Sequence, residues 1–590
     1  MAMILTASCM AGCGNDGSKT DSSTTASQSA SSQGQASTAA DSSASADSAA
    51  STASGTVSDM FADGDYKDVT GEKENASITL SGSSGTISDT TRGSSGSTVT
   101  ITSKGIYRVT GSSDGVSIVV KDEAQSGNIY LILDNVTMKN ASTACINVQA
   151  CDKVIIQTVG ESSLTYSNTN ESEKVDGAIF AKDDTTINGS GTLNITSSLH
   201  GIVCQEDLKI TGAAVNVTSS SVGIKADDSL RIGGGVTSIT SEHDGVKVSN
   251  KDNNGYFYIE KGELTVNAGY DGISVKADSD TTDFTGSLQM AGGTVTITAG
   301  GGSEQSKDSS TSQKGLKSDG SIVVSDTTLT VSAADDAIHG NDNITIQSGT
   351  IELSTSDDGI TAEGDLTING GKVTVSKSYE ALEATNVTIN DGEVSVTASD
   401  DGINCSGGSD TTSQDDNPWS SGNTDAKLTI NGGNVYVNAQ GDGLDSNGSI
   451  YITGGTTIVD GPTDGGNGAI DKGDSNGCVA SITGGTVLAI GSTGMAVNFD
   501  TGSQCSALVQ ISGDNGTEIT VDDGSGFSYK ATKTFACAVY SSPSLKEGIT
   551  YTMKAGSTEA TLDFSSGKYY SNVASMGGGP GGMGGHGGPA

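Results

Sequence analysis

The chain has 590 residues, of which 83 are glycine and 5 are proline, and aromatic residues make up 4%. The formal net charge of −41 argues against a nucleic-acid partner, because proteins bind phosphate backbones with lysine and arginine. This charge is compatible with divalent cations, with anionic polymers bridged by cations, or with a role in solubility alone. No stretch of 18 apolar residues occurs, so the sequence predicts no membrane-spanning helix.

The first residues resemble a bacterial lipoprotein signal. Met10-Ala11-Gly12-Cys13 is similar to a lipobox, so we interpret residues 1–13 as a partial signal peptide with lipidation at Cys13. Cys9 is a second candidate, and a cysteine in a signal that is simply cleaved off is the alternative. Residues 14–60 are nearly all Ser, Thr, Ala, Gln, Asp and Gly, a composition that cannot bury a core and predicts a disordered tether. We therefore expect an extracellular protein whose contact with the bacterial cell membrane is its lipid anchor.

A step from a small residue to an apolar residue recurs along the chain at intervals close to 22 residues. The spacings are 22, 22, 27, 43, 22, 22, 22, 21 and 41. The 27 indicates a loop of about five extra residues, whereas the 43 and the 41 indicate either a doubled period or one coil with an insertion. The steps are Gly201-Ile202, Gly223-Ile224, Gly245-Val246, Gly272-Ile273, Gly315-Leu316, Ala337-Ile338, Gly359-Ile360, Ala381-Leu382, Gly402-Ile403 and Gly443-Leu444.

Each period reads as three short alternating strands. Leu366–Ile368 is followed by a turn at Gly370-Gly371, by Lys372–Val375, and by a polar corner before Ala381-Leu382. Glycine supplies the positive φ that such turns need. The period is too short for a propeller blade and shows no helical pattern. We predict an all-β fold over residues 61–504, a right-handed, single-stranded parallel β-helix with coils of about 22 residues and three strands.

The residue two positions after the apolar residue of each step is small in nearly every coil. This pattern predicts an inward-facing ladder in a narrow core, so we expect Cys204 and Cys405 to be buried ladder members and not reactive thiols or metal ligands. The ladder is Cys204, Ala226, Val248, Val275, Ser318, Gly340, Ala362, Ala384, Cys405 and Ser446.

Acidic residues crowd the corners beside the apolar steps. Equivalent residues of a β-helix stack one coil apart, so a column of carboxylates repels itself unless cations compensate. Oxygen ligands suit Ca²⁺, which we predict as the cofactor. The preference of Asp for turns is the alternative, and it explains less well the paired steps at 335–336, 357–358 and 400–401. The predicted ligands are Asp244, Asp271, Asp335, Asp336, Asp357, Asp358, Glu380, Asp400, Asp401, Asp442 and Asp445.

The outward residue after each apolar step changes from basic to acidic along the repeats. Lys225, Lys247 and Lys317 come first, and Glu383 and Asp445 come later. We predict that the lysines contact a polysaccharide, with random variation of the surface as the alternative. Trp419 is the only tryptophan and lies in the polar insertion 406–426, which makes it the strongest aromatic candidate for sugar contact.

The coil pattern, the Asp-Asp-Gly-Ile steps and the lipobox with its tether resemble the bacterial carbohydrate-binding parallel β-helix family, formerly a domain of unknown function with a pectate-lyase-like fold. Residues 98–107 and 128–136 are similar to the family's entry strands, and the glycine-rich residues 577–588 to its tail. The resemblance covers roughly residues 60–571. It implies binding of plant-type polysaccharide such as polygalacturonate, with bound calcium and without demonstrated lyase activity. It does not identify which Asp residues bind calcium.

Two other functions compete with polysaccharide binding. A pectate-lyase-like enzyme would need a strong base, often arginine, beside Ca²⁺, and of Arg92, Arg108 and Arg231 only Arg231 lies in the repeats. A surface adhesin or structural spacer is the other alternative. We predict a monomeric, non-catalytic, calcium-binding cell-surface protein that binds plant-type glycans such as polygalacturonate or cellulose.

The last residues depart from the repeat. Residues 505–571 alternate like antiparallel strands and predict a small β cap over the open end of the helix. Residues 572–590 are glycine-rich, and we expect them to be disordered.

Overall fold

A computed structural model describes residues 60–170, 172, 174–250, 252–278, 284–405 and 424–573. Its strands pair in parallel with their equivalents one coil along the chain, which confirms the predicted parallel β-helix. Each coil contributes strands to three sheets, which we call A, B and C in the order in which the coil visits them. Within these described ranges, the helix found is too short and too polar to cross a lipid bilayer.

Sheet A contains the longer strands, most of them six residues long. They are Glu161–Tyr166, Thr192–Ser197, Ala214–Ser219, Val236–Ser241, Glu263–Ala268, Thr294–Ala299, Thr328–Ala333, Thr350–Thr355, Lys372–Lys377, Glu393–Ala398, Asn434–Ala439, Thr456–Asp460 and Thr486–Gly491.

Sheet B contains the strands that carry the small-to-apolar steps. They are Thr98–Ile101, Ser117–Lys121, Ile146–Ala150, Gly177–Ala181, His200–Cys204, Ile224–Ala226, Val246–Val248, Ile273–Val275, Leu316–Ser318, Ile338–Gly340, Ile403–Cys405 and Leu444–Ser446.

Sheet C follows sheet B in each coil. Its strands are Val154–Val159, Thr185–Gly189, Asp207–Ile210, Ser229–Ile232, Tyr256–Ile259, Ser287–Met290, Ser321–Val324, Ile344–Ile346, Lys427–Ile430, Ser449–Ile452, Ala480–Ile482 and Thr501–Gly502. Two continuous strands, Ile360–Ile368 and Leu382–Ile389, run through both sheet B and sheet C.

The first coils contain longer strands that pass through sheets C and A without a break. They are Ala76–Gly82, Gly105–Asp114 and Ile129–Asn140. Ser84–Ile87 pairs antiparallel with Ala76–Gly82, and Gly93–Ser94 pairs antiparallel with Thr98–Ile101. The parallel stack therefore begins with two short antiparallel pairings.

Alternating burial fills the core with one side chain in two. In Thr294–Ala299, Val295 and Ile297 are buried, and the threonines that alternate with them face outward. Val295 stacks between Leu264 and Leu329 of the neighbouring coils. A shift of one residue would move every apolar side chain of the strand to the outside, so the hydrophobic pattern holds the register.

The small ladder on sheet B is buried, as the sequence predicts. Cys204 and Cys405 are fully buried, and burial raises the pKa of each thiol to about 12, so neither is a reactive thiolate. Space is also tight at the glycine with which the step begins. A Cβ added at Gly223 would lie 2.3 Å from Ile239 Cγ2 and 2.6 Å from the Gly245 carbonyl oxygen. These contacts explain why the step begins with a very small residue.

The two long spacings are single coils that carry insertions. Ile273 pairs directly with Leu316, and Ile403 pairs directly with Leu444. In the first case, extra residues follow both the sheet B strand and the sheet A strand, and the second extension, residues 300–314, folds back over the corner between sheets A and B. We call residues 300–314 the corner insertion.

A small antiparallel unit follows the last coil, as the sequence predicts. Its strands are Ser506–Gly513, Glu518–Val521, Ser528–Lys530, Phe535–Ser541, Thr550–Ala555 and Thr558–Asp563. The final strand, Tyr569–Ser571, pairs in parallel with Ser506–Gly513. Phe535–Ser541 pairs antiparallel with Thr486–Gly491 of sheet A, and thereby joins this unit to the final coil. The carboxylate of Asp460, which is fully buried, accepts hydrogen bonds from the Tyr436 and Tyr529 hydroxyls at this junction.

A short helix before the first coil is absent from the sequence predictions. The helix Asp63–Tyr66 lies against the outer face of sheet C. Asp65 is fully buried there, and its carboxylate binds the amines of Lys153 and Lys209 and the Thr186 hydroxyl. We call residues 60–67 the N-terminal strap.

Candidate functional site at the corner of sheets A and B

Each coil turns from sheet A into sheet B at the residue just before the small-to-apolar step. The backbone carbonyl of that residue accepts the N–H of the step residue in the preceding coil, so these residues stack in one column. We call this set the corner column: His200, Val222, Asp244, Asp271, Lys314, Asp336, Asp358, Glu380, Asp401 and Asp442.

A second column lies three residues further on, on the outer face of sheet B. Paired strands place its members in register, and we call it the sheet B column: Val203, Lys225, Lys247, Ser274, Lys317, His339, Thr361, Glu383, Asn404 and Asp445. Each coil therefore presents a corner residue and a sheet B residue side by side. Together the two columns change from basic and neutral to acidic along the chain.

Carboxylates of the corner column satisfy backbone groups of the next coil. Asp358 Oδ1 accepts the N–H of Glu380 at 3.0 Å, and Asp401 Oδ1 accepts the N–H of Asp442 at 2.6 Å. Asp271 and Asp442 make the equivalent bonds to Lys314 and to Gly468. One oxygen of each such carboxylate therefore accepts a backbone hydrogen bond, as Asp commonly does in turns. The second oxygen of the carboxylate could accept a ligand or face a counter-ion.

The acids in the middle of the corner are neutralised by lysines of the corner insertion. Lys314 Nζ lies 3.1 Å from Asp335 Oδ1 and 2.5 Å from Asp336 Oδ2, and its side chain is 4% exposed. Lys307 Nζ lies 3.3 Å from Asp335 Oδ1 and 2.6 Å from Asp357 Oδ2. Burial acts to raise the pKa of Asp336, but the hydrogen bond with His339 and the charge of Lys314 hold this pKa well below its usual range.

A second acidic cluster lies further along the corner and has no such counter-ion. Asp401, Asp442 and Asp445 can each place one carboxylate oxygen within 4.8 Å of the others. Among the described residues, no lysine or arginine pairs with these three. Burial, with repulsion from neighbouring carboxylates, raises the pKa of Asp401 to about 6, of Asp442 to about 7 and of Asp445 to about 8. The cluster therefore holds more negative charge than its surroundings compensate.

An amide oxygen without a hydrogen bond lies beside this cluster. Asn404 is 8% exposed and pairs in register with Asp445 on the next strand. Its Nδ2 donates to Glu380 Oε2 at 3.0 Å, whereas its Oδ1 is buried without a partner. Burial raises the pKa of Glu380 to about 8. Since a buried acceptor without a donor costs free energy, the Asn404 oxygen is suited to a cation or to a ligand hydroxyl.

The structure brings the predicted lysines together in the sheet B column. Lys225 and Lys247 are half-buried neighbours, and within the described part of the chain neither forms an ion pair. Lys317 follows after Ser274, and its amine donates to Ser312 Oγ of the corner insertion at 3.1 Å. The two remaining predictions, Trp419 and Cys13, lie outside the described residues.

The other predicted ligands lie at the same corner without joining the cluster of Asp401. Asp244 and Asp271 are successive corner-column residues, and burial raises the pKa of Asp244 to about 6. Burial likewise raises the pKa of Asp358 to about 9. Asp400 lies one residue before Asp401, and its backbone carbonyl accepts the N–H of Gly441 in the next coil.

A polar cleft at the upstream end of the same corner escaped the sequence predictions. It has a volume of about 470 Å³ and is lined by Asp176, His200, Ser221 and His243, among others. The available signal was a pair of histidines in the coils on either side of Ser220 and Ser221, which precede the corner residue Val222. These histidines stand at positions where several other coils have acids, so the repeat pattern does not mark them.

Known proteins provide three comparisons for this corner. The family model described as "Carbohydrate-binding domain-containing protein" matches residues 95–359 and 354–402, which include the corner column from His200 to Asp401. A carbohydrate-binding domain-containing protein of Acetivibrio thermocellus is 32% identical over 125 residues, which are 20% of this chain and 43% of that relative, so less than half of the relative is spanned. A solved structure of a polysaccharide lyase-like protein from C. thermocellum, a gadolinium derivative, aligns with 47% of this chain and 96% of its own at 23% identity and a TM-score of 0.34.

Proposed function

We propose that this chain, which belongs to the carbohydrate-binding domain-containing protein family, binds a polysaccharide along the corner of sheets A and B and does not cleave it. The family match over residues 95–359 and 354–402 is the observation that carries the proposal, because it covers most of the coils that form this corner. We further propose plant-type glycans, with polygalacturonate and cellulose as the two polymers to test.

The proposed calcium site is the cluster of Asp401, Asp442 and Asp445. Ca²⁺ takes six to eight oxygen ligands in a flexible geometry, which suits carboxylates from two coils and an amide oxygen such as Asn404 Oδ1. A bound cation would also offset the repulsion that raises the pKa values of these acids. Asp335, Asp336 and Asp357 are less suited to calcium because Lys307 and Lys314 already supply their positive charge.

The lysines of the sheet B column support contact with the anionic groups of a polymer. Lys225 and Lys247 form no ion pair within the described ranges, so their charge is available to a ligand. Calcium at the downstream end would bridge further anionic groups. An uncharged polymer would instead rely on hydroxyl contacts with the polar corner.

The surroundings of the arginines favour binding over proton abstraction. Arg231 is bonded to Asp207, to Ser229 Oγ and to the Met60 carbonyl, and it stacks over Tyr256. Arg92 and Arg108 are likewise engaged with acidic side chains. A lyase would need such a group free beside the substrate and the metal.

We propose that the protein acts as a monomer at the bacterial cell surface, with Cys13 as its lipid anchor. The tether predicted for residues 14–60 would let the β-helix reach a polymer away from the membrane. The test for this part is metabolic labelling with a palmitate analogue in cells that express the full chain. Labelling that is lost in Cys13→Ser is the expected result, and equal labelling of both proteins would contradict it.

The function is tested by retention of the purified protein on insoluble polygalacturonate and on cellulose, with Ca²⁺ or with EDTA. We expect calcium-dependent retention on polygalacturonate without release of unsaturated sugar, which is followed by its ultraviolet absorbance. Asp442→Asn should lose the calcium dependence, whereas Glu547→Gln, which removes one exposed charge from the cap, should not. Formation of unsaturated product would show a lyase, and no retention on any polysaccharide would favour an adhesin or spacer.

A further inference from the structure

The upstream cleft exists because one coil has small residues at its corner. Ser220 and Ser221 stand where the preceding coil has Ser198 and Leu199 and the following coil has Glu242 and His243. Ser221 lies between the larger side chains of Leu199 and His243, and the cleft at this point has a volume of about 470 Å³. Ser220 and Glu242 directly follow paired strands of sheet A, so the parallel stack holds this side of the cleft. Thr169 and Asp176 line the other side from the connection between the strands Glu161–Tyr166 and Gly177–Ala181.

An aromatic stack forms one end of the cleft. The rings of His243 and Tyr270 lie in successive coils with their centroids 4.6 Å apart and their planes 6° from parallel. His243 lines the cleft, whereas Tyr270 lies on the side of His243 that faces away from Ser221. Tyr270 thus covers one face of the His243 ring, and the opposite face of that ring is turned toward the cleft.

Hydrogen bonds hold the polar groups of the cleft in defined orientations. His200 Nδ1 accepts the Val222 N–H at 3.2 Å, and its Nε2 lies 3.6 Å from Asp176 Oδ2. His243 Nδ1 and Ser221 Oγ are 3.3 Å apart. A ligand in the cleft would therefore meet hydroxyl, carboxylate and imidazole groups that are already positioned, so little ordering would be needed on binding.

The combination of a flat ring face with carboxylates and hydroxyls suits a sugar ring. The C–H face of a pyranose packs on a flat π-system, and its vicinal hydroxyls donate to carboxylates such as Asp176 and Glu242. We propose that this cleft holds one pyranose unit of the polysaccharide, with its ring on His243. This inference rests on the proposed function, and it names a sugar subsite that is separate from the acidic cluster of Asp401.

The corner insertion separates the two sites. Lys307 and Lys314 lie between the cleft and the cluster, because Lys314 is the corner-column residue between Asp271 and Asp336. Six coil steps separate Asp244, the residue after His243, from Asp401 in that column, or about 29 Å at the usual strand spacing. A polymer that uses both sites would span this distance along the helix axis.

The test compares four variants with the wild type by calorimetry, with cellotetraose and with tetragalacturonate. Ser220→Trp fills the cleft from an exposed position and His243→Ala removes the ring face, so each should weaken binding of the preferred tetrasaccharide about tenfold. His243→Phe keeps a flat ring and should stay within about twofold of the wild type. Thr296→Trp, on the exposed face of sheet A and outside the cleft, is the matched control and should bind like the wild type.

Circular dichroism melting shows whether each variant is folded, and terbium luminescence at the acidic cluster should be the same in all five proteins. Wild-type affinity in both Ser220→Trp and His243→Ala would overturn the subsite, while calcium-dependent retention on polymer by the wild type would leave the proposed function standing. Failure of the wild type to bind either tetrasaccharide would also overturn the subsite. Failure of the wild type to be retained on any polymer would overturn the proposed function.

Discussion

Asp401 and Asp442 occupy the same corner position in successive coils, and the carboxylate of Asp401 accepts the backbone N–H of Asp442 at 2.6 Å. One oxygen of Asp401 thus closes the stack of coils, and the same carboxylate belongs to a cluster with Asp442 and Asp445. The same side chain serves the fold and the proposed metal site. A substitution that keeps a hydrogen-bond acceptor but removes the charge should therefore preserve the fold and weaken the proposed metal site.

Replacement of Asp442 by Asn should have opposite effects with and without calcium. The Asn oxygen can still accept the Gly468 N–H, and one negative charge is removed from a repulsive cluster, so the protein in EDTA at pH 8 should melt higher than the wild type. Calcium affinity should fall about tenfold or more, because ligand charge sets the affinity of such sites. Thermal melts with and without Ca²⁺ measure both effects. An unchanged response to calcium would contradict the proposed site.

The stability of the calcium-free protein should fall as the pH rises. The folded-state pKa values of Asp401, Asp442 and Asp445 are raised to between about 6 and 8, so the folded protein binds these protons more tightly than the unfolded chain does. Their contribution favours folding below the pKa of an unfolded aspartate, near 4, and is lost progressively as the pH rises through 6 to 8.

The measurement is a melting temperature in EDTA at pH 5.5 and at pH 8. We expect the lower value at pH 8, and we expect calcium to raise the melting temperature more at pH 8 than at pH 5.5. A calcium effect that is largest at pH 5.5 would contradict the assignment of these protons to the cluster.

Lys314 should be essential for the stability of the middle coils. Its amine is buried between Asp335 and Asp336, and removal of one partner leaves buried charges without compensation. Lys314→Met should cost about 3–5 kcal/mol in the free energy of unfolding near pH 7. Lys372→Met, which breaks a surface pair with Glu393, should cost about 0–1 kcal/mol. Equal unfolding free energies for the two variants in urea would show that the buried pair contributes no more than a surface pair.

The N-terminal strap should be held to sheet C by a buried charge network. Asp65→Ala removes the acceptor of Lys153 and Lys209, so residues 60–67 should detach while the coils remain folded. Trypsin cleavage after Lys67 should then accelerate about tenfold or more. Asp63→Ala, on the exposed side of the same helix, is the control and should be cleaved like the wild type. Equal cleavage of both variants would show that other contacts hold the strap.

The repeat could be predicted from the sequence because its constraints recur in every coil. Small residues such as Ala226 and Cys405 must fit the same narrow position, and an acid at the corner must bond the next coil in the same way. The 22-residue spacing therefore predicts Asp358 and Asp401 in one column. The ambiguous spacings needed the strand register, since an insertion and a doubled period produce the same interval.

Single, non-repeated interactions could not be predicted. Lys314 enters the corner column from an insertion, where no periodicity distinguishes it from an exposed lysine. Asp65 meets Lys153 across 88 positions of the chain, which no local pattern encodes. The cleft beside His243 arises from missing bulk at Ser221, and a missing side chain carries no motif.

A crystal structure of the protein grown with CaCl₂ and tetragalacturonate tests the central claim most directly. The account predicts a calcium ion 2.3–2.6 Å from carboxylate oxygens of Asp401, Asp442 and Asp445, with the oligosaccharide intact along the corner of sheets A and B. A calcium ion bound elsewhere, an empty cluster, or an oligosaccharide bound on another face or cleaved would contradict it.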